Sequence, residues 1–99
     1  MLVAFSVAPM SSDARGSVAA QVAKAVQIVR DSGLPHRTDA MFTTIEGEWD
    51  EVMDVVKRAT AAVGEGGARV SLVLKADIRP GYTGELDGKL ERLEQHLAQ

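Results

Sequence analysis

Carboxylates, hydroxyls and one indole are concentrated in a single run of this chain, from Thr43 to Glu51. In this run Glu46 ends a stretch of β-branched residues, and Trp49 follows shortly after it. A carboxylate beside an aromatic ring can hold a cationic or amidine-like heterocycle by hydrogen bonding and stacking. Two structural interpretations stay open beside this one, because Trp49 can close the end of a core and Glu46 can serve a structural ion pair.

The other patterns that carry chemistry are missing from the sequence. There is no cysteine, which excludes disulfides and thiolate metal ligands. His36 and His96 stand far apart without the spacing of metal ligands. The glycines between positions 64 and 67 lack the Lys-Ser/Thr of a phosphate loop, and no G-x-S-x-G motif is present. We therefore predict a protein that is not an enzyme and that holds no metal or cofactor.

Composition predicts one soluble globular domain spanning residues 1–99, with 45% hydrophobic and 25% charged residues. The net charge is −3 and no basic cluster stands out, which argues against a nucleic-acid partner. No run approaches the roughly 20 apolar residues that cross a bilayer, so we expect no membrane partner. The N-terminus also lacks the charged start of a signal peptide, and we expect a cytoplasmic location.

Hydrophobic periodicity and turn residues predict seven elements in the order βαββαβα. The predicted elements are strands Leu2–Ala8, Pro35–Asp39, Phe42–Gly47 and Ala68–Asp77, helices Ser17–Ser32 and Trp49–Val63, and a last helix with Leu86, Leu90, Leu93 and Leu97 on one stripe. Two βαβ units with right-handed crossovers form a four-stranded antiparallel sheet with two helices on one face. The predicted fold is therefore an α+β, ferredoxin-like βαββαβ sandwich with an additional C-terminal helix.

Two helices leave the other face of such a sheet uncovered. Strand alternation places Ala4 and Val73 at the centre of that face, where water is a poor neighbour, so we expect a second subunit or the C-terminal helix to cover it. The polar residues of the same face could be interface contacts or the handles of a small-molecule pocket. They are Ser6, Thr44, Glu46, Lys75 and Asp77.

Three segments together resemble a known family. They are the end of the first strand (Ser6–Pro9), the run from Asp39 to Met53, and the end of the last strand (Lys75–Arg79). They are similar to thiamine-binding proteins of ferredoxin-like fold, relatives of the YkoF-type thiamine/hydroxymethylpyrimidine-binding domain. The resemblance implies a homo-oligomer, a dimer or tetramer formed through the open sheet face. It also implies a site for thiamine or its pyrimidine at or near that interface, without catalysis.

The resemblance implies four kinds of ligand-binding residue. Glu46 and Asp77 would accept hydrogen bonds, and hydroxyls would come from Ser6, Thr38, Thr43 and Thr44. Apolar contacts would come from Met41, Phe42 and Trp49, and Lys75 would be a further polar contact. The alternative is a structural or regulatory oligomerisation module that binds no vitamin. The two hypotheses differ in what Glu46→Ala would remove: the ligand in the first, the assembly in the second.

Overall fold

The computed structural model describes residues 1–10 and 18–98. Its elements are β1 (Leu2–Pro9), α1 (Ala19–Asp31), β2 (His36–Thr38), β3 (Thr43–Glu46), α2 (Trp49–Val63), β4 (Val70–Asp77) and α3 (Glu85–Leu97). This order confirms the predicted α+β fold, and most bounds lie within two residues of the expected ones. The predicted start of α1 at Ser17, with that residue as its cap, lies outside the described residues.

The four strands form one antiparallel sheet in the order β2-β3-β1-β4. β1 and β3 are central, as their apolar and β-branched residues predict. β1 pairs with β4 along its whole length, from Leu2 opposite Asp77 to Pro9 opposite Val70. Its pairing with β3 is half as long and ends where Phe5 faces Thr43. Among the described residues, the far half of β1 therefore has a strand neighbour on one side only.

Local residue chemistry accounts for the ends of the helices. α2 begins at a capping box, in which the Glu48 side chain accepts a backbone N–H of the first turn while the Glu48 N–H donates to the Glu51 carboxylate at 3.2 Å. α1 ends just before Gly33, whose φ of 77° suits glycine. None of the helices in the described ranges is long and apolar enough to cross a membrane.

The core lies between the helix-facing side of the sheet and the layer of α1 and α2. Alternate residues of β1, namely Val3, Phe5 and Val7, are buried there. From the helices they meet mainly valines and alanines, among them Val29 and Val52, which are fully buried. Small β-branched side chains pack closely against a pleated surface, so the helices sit near the sheet.

α3 lies outside this sandwich, on the open face near the end of β3. Its leucine stripe starts half-buried at Leu86 but is exposed at Leu90, Leu93 and Leu97. The radius of gyration is 15.0 Å, compared with about 13 Å for a compact domain of this length. The protein is elongated because α3 projects from it. α3 therefore covers one end of the open face and leaves the centre around Val73 exposed.

Candidate functional site

A cavity lies beside β1 at the point where β3 has ended. It has a volume of about 210 Å³ and is lined by β1 from Phe5 to Ala8, by apolar residues at the start of α1, and by the chain from Thr38 to Thr43. We call it the loop cavity. The cavity forms because β1 extends beyond the end of β3 and because the chain between β2 and β3 turns away from the sheet.

Backbone groups of β1 that have no strand partner among the described residues border the loop cavity. The Gly47 N–H donates to the Met1 carbonyl at 3.1 Å, so the odd-numbered residues of β1 direct their N–H and C=O groups towards β3. Phe5 makes the last such pair, with Thr43. The next residue to point this way is Val7, whose N–H and C=O face no strand among the described residues. A buried wall thus carries one donor and one acceptor side by side.

The turn between β2 and β3 is built on Asp39. One oxygen of its carboxylate accepts the N–H groups of Met41 at 2.8 Å and Phe42 at 2.9 Å, while its own N–H donates to the Phe42 carbonyl at 2.9 Å. Asp stabilises turns in this way because its short side chain reaches the backbone two residues on. The N–H groups of Met41 and Phe42 lower the pKa of Asp39 below its ordinary value of 3.8. The mouth of the cavity therefore carries a negative charge at neutral pH.

Hydroxyls supply the remaining polar atoms of the loop cavity. Thr38 and Thr43 face each other across β2 and β3, with their Oγ1 atoms 3.0 Å apart. Thr43 is buried, and Ser6 also lines the cavity, although strand alternation puts its side chain on the open face. A hydroxyl can donate or accept, so this set adapts to either kind of ligand atom.

The loop cavity brings together half of the ten predicted site residues. They are Ser6, Thr38, Met41, Phe42 and Thr43. Asp39 was not among the predicted site residues, although it opens the run that carries the family resemblance. The signal that could have found it is its position in a short polar turn before a β-branched strand, where an Asp commonly accepts backbone N–H groups.

The two predicted acceptors, Glu46 and Asp77, lie elsewhere and are engaged by α3. Both carboxylate oxygens of Glu46 accept backbone N–H groups at the start of the helix, from Glu85 at 2.8 Å and from Leu86 at 3.1 Å. Asp77 accepts a hydrogen bond from Lys89 at 2.7 Å, which lowers the pKa of Asp77. These carboxylates anchor α3 to the sheet and lie outside the loop cavity.

The remaining three predicted residues occupy other surfaces. Thr44 lines a cavity of about 260 Å³ beneath α3, and Asp39 lines this cavity too. Lys75 is exposed on the open face opposite Ala4. Trp49 is 54% exposed at the start of α2, so its side chain does not close the end of the core. The ten residues therefore do not form one pocket.

Comparison with known proteins agrees with this fold. The family model described as thiamine-binding protein matches residues 3–94. UPF0045 protein Mb1933 of Mycobacterium bovis is 50% identical over 99 residues, covering 98% of this chain and 94% of that protein. The structure of DUF77, a domain of unknown function from Bacillus cereus, superposes with a TM-score of 0.79 at 37% identity, covering 92% of this chain and 86% of that one.

A second solved structure comes from Thermotoga maritima, and its protein has been assigned provisionally to thiamine biosynthesis or salvage. It has a TM-score of 0.73 and 28% identity, and the match covers 92% of this chain and 97% of that one. The family match spans nearly the whole chain, and the related folds keep the same sandwich. The chain belongs to the family of thiamine-binding proteins.

Proposed function

We propose that this protein binds thiamine, or its hydroxymethylpyrimidine part, with the pyrimidine ring in the loop cavity. The observation that carries the proposal is that the N–H and C=O of Val7, which lines the loop cavity, point to the β3 side and face no strand among the described residues. Clefts for drug-sized ligands usually measure roughly 300–1,000 Å³. The loop cavity, at about 210 Å³, suits a single heteroaromatic ring.

An aminopyrimidine complements these backbone groups. Its exocyclic amine donates a hydrogen bond, and the neighbouring ring nitrogen accepts one, in the same plane. The Val7 C=O would accept from the amine and the Val7 N–H would donate to the nitrogen, as a further strand would do at this edge. Apolar side chains of α1, such as Val22 and Val26, would contact the ring face.

The cationic thiazolium of thiamine would then lie at the mouth of the cavity. Asp39 is exposed there and keeps its charge because its pKa is lowered. The attraction is that of a solvent-exposed pair and is therefore weak. We therefore assign Asp39 a role in preferring thiamine over the neutral pyrimidine, and Val7 the larger role of holding the ring.

We propose binding without catalysis. Among the described residues that line the loop cavity, Asp39 is the one that titrates in the acid-to-neutral range, and its carboxylate is already part of the turn. General acid–base chemistry needs a positioned group within reach of the transferred proton. Among the described residues, no three His, Cys, Asp or Glu side chains lie close enough together to hold a metal ion.

We further propose that the protein is a homo-oligomer paired through its open sheet face. Val73 is 56% exposed at the centre of that face, and Leu90 and Leu93 of α3 are exposed as well. An exposed apolar surface of this kind is typical of an interaction site. An oligomerisation module without a vitamin ligand would share this surface, so the two hypotheses are separated by ligand binding alone.

Calorimetric titration tests the proposal with three ligands: thiamine, hydroxymethylpyrimidine and the isolated thiazole alcohol. We expect heat and a raised melting temperature with the first two and none with the third. Val22→Phe, which places a larger side chain in the cavity, should abolish binding, whereas Ala23→Phe on the exposed side of the same helix should leave it unchanged. Absence of heat with millimolar thiamine would instead favour the oligomerisation module.

A further inference from the structure

Two adjoining cavities lie at the end of β1 opposite the loop cavity, where β1 and α2 begin and β4 ends. Their volumes are about 230 Å³ and about 210 Å³. Met1, Glu48 and Tyr82 line both of them, and we call the two together the aromatic cleft. The second cavity is also lined by Trp49, Ile78 and Arg79. Each cavity is smaller than the usual ligand cleft of roughly 300–1,000 Å³, and the two together reach that size.

Large apolar side chains are exposed in the aromatic cleft. Trp49 is 54% exposed, Tyr82 is 46% exposed and Ile78 is 59% exposed. Trp49 is the first residue of α2, and the buried stripe of that helix begins only at Val52, so the indole stays outside the core. Exposed aromatic rings beside a cavity offer a surface on which a flat ring can stack.

A tight turn holds Arg79 against the Tyr82 ring. The Tyr82 N–H donates to the Arg79 carbonyl at 3.3 Å, with Pro80 and Gly81 at the two central positions of the turn. Gly81 has a φ of 82°, and a turn of type II requires a positive φ there and favours proline just before it. The first and fourth residues of such a turn lie close together. The Arg79 guanidinium accordingly lies 3.5 Å from the centre of the Tyr82 ring.

Arg79 has no ion-pair partner among the residues that the structure describes. The carboxylates of Asp77 and Glu85 lie near enough for Arg79 to influence them, but they pair with Lys89 and Arg92. A guanidinium that stacks on a ring keeps its N–H donors in its own plane, where they can bind a carboxylate or a phosphate through two parallel hydrogen bonds. Arg79 therefore offers donors that no described carboxylate uses.

The charges of the aromatic cleft favour an anionic ligand over a cationic one. Two carboxylates belong to its described lining, and each already accepts backbone N–H groups, Glu46 at the start of α3 and Glu48 at the start of α2. The positive ends of the two helices offset these negative charges. A flat cation would find no available carboxylate there and would meet Arg79. A flat anion would meet the donors of Arg79 beside an exposed ring.

We propose that the aromatic cleft binds a small organic anion, in which a flat aromatic ring carries a carboxylate or a phosphate. The ring stacks on the Trp49 indole, and the anionic group accepts hydrogen bonds from Arg79. The site does not depend on the loop cavity, because the two lie at opposite ends of β1. It also takes a ligand of the opposite charge to thiamine.

The fluorescence of Trp49 tests this site directly, because the chain has one tryptophan. The probes are two matched pairs, adenosine monophosphate with adenosine and benzoate with benzamide, in which the ring is kept and the anion is removed. We expect a saturable change in Trp49 emission with an anionic probe, and binding weaker by at least about tenfold for its neutral partner, since hydrogen bonds to charged groups are the stronger ones. A response to adenosine monophosphate alone assigns the site to phosphates, and a response to benzoate alone assigns it to carboxylates.

Arg79→Gln removes the charge and should abolish the preference for the anionic probe, with circular dichroism confirming an unchanged fold. Arg30→Gln, on the exposed side of α1, is the matched control and should keep the preference. Excess hydroxymethylpyrimidine should not displace the anionic probe. Unchanged Trp49 emission with all four probes at millimolar concentration, or equal affinities within both pairs, would overturn the proposal. Displacement by hydroxymethylpyrimidine would overturn the separate site.

Discussion

At the scale of single residues, two carboxylates exchange the roles that their positions in the sequence suggest. Glu46 stands next to Trp49 in the most distinctive run, yet both of its oxygens are used by the start of α3. Asp39 stands in an ordinary turn, yet it holds that turn and borders the loop cavity. Each carboxylate accepts two backbone N–H groups, but those of Asp39 lie in its own turn, whereas those of Glu46 come from a helix that begins 39 residues later.

The charge of Asp39 can be separated from its turn-forming role by a pair of variants. Asp39→Asn keeps an oxygen for the N–H groups of Met41 and Phe42 but removes the charge, so it should weaken thiamine binding by up to about fivefold and leave hydroxymethylpyrimidine unaffected. Asp39→Ala removes both and should weaken both ligands. Calorimetry of the two variants measures this difference. Equal losses of both ligands in Asp39→Asn would contradict the electrostatic role.

The lowered pKa of Asp39 also sets the pH range of this turn. A carboxylate whose folded-state pKa is depressed contributes stability above its ordinary pKa, here 3.8, and loses it as the pH falls through the lower folded value. The Asp39 carboxylate should therefore stay ionised, and accept both N–H groups of the turn, throughout the neutral and mildly acidic range.

At the scale of elements, hydrophobic periodicity predicted which helices and strands form, and local hydrogen bonds determined the residues at which they begin and end. The bounds of α2, Trp49 and Val63, agree with the prediction because a strong apolar stripe lies between a capping box and Gly64. β3 begins at Thr43 and not at Phe42, because the Asp39 carboxylate draws the Phe42 N–H into the turn.

The attachment of α3 could not have been predicted in the same way. Glu46 and Glu85 lie 39 residues apart, and no periodicity links a strand carboxylate to a helix start at that distance. The lack of a β3 partner for the Val7 backbone could not be predicted either, since it follows from the unequal lengths of the two strand pairings that the structure describes. The alternation of side chains along a strand shows which of its faces is buried, but it does not show at which residue the neighbouring strand ends.

The anchoring of α3 gives a prediction about stability. Glu46→Ala removes the acceptor of two helix N–H groups, and losing a helix cap costs about 0.5–2 kcal/mol. We expect the melting temperature to fall by roughly 4–8 °C for each kcal/mol lost, with loss of helical circular dichroism. Glu94→Gln, an exposed carboxylate later in α3, is the matched control and should change neither. An unchanged melting temperature in Glu46→Ala would show that the cap does not hold the helix.

At the scale of the whole molecule, the main feature is the apolar surface that stays exposed on the open face and on α3. A chain this small buries a modest share of its surface alone. Here α3 carries its leucines away from the core, and the centre of the open face is exposed. Pairing between copies through the open face would bury both. The loop cavity lies at the far end of β1 from the α3 anchor. A site at or near the subunit interface, which the family resemblance implies, stays a prediction.

Assembly through the open face predicts the effect of charging α3. Leu93→Lys places a charge in the exposed leucine stripe and should halve the mass of the oligomer, since an unpaired charge is costly in an apolar interface. Gln95→Lys adds the same charge outside the stripe and should keep the mass of the wild type. Light scattering measures both. The same mass for both variants would contradict pairing through α3 and the open face.

The backbone amide of Val7 reports most directly on the proposed function. In a titration of ¹⁵N-labelled protein with hydroxymethylpyrimidine, its resonance should shift downfield and its exchange with solvent should slow, because the amide gains a hydrogen bond to the ring nitrogen. The amides of Leu2 and Ala4 at the other end of β1 should stay in place. Ligand-induced shifts confined to Thr44, Lys75 or the Trp49 indole, with Val7 unmoved, would place the ligand elsewhere and contradict the account.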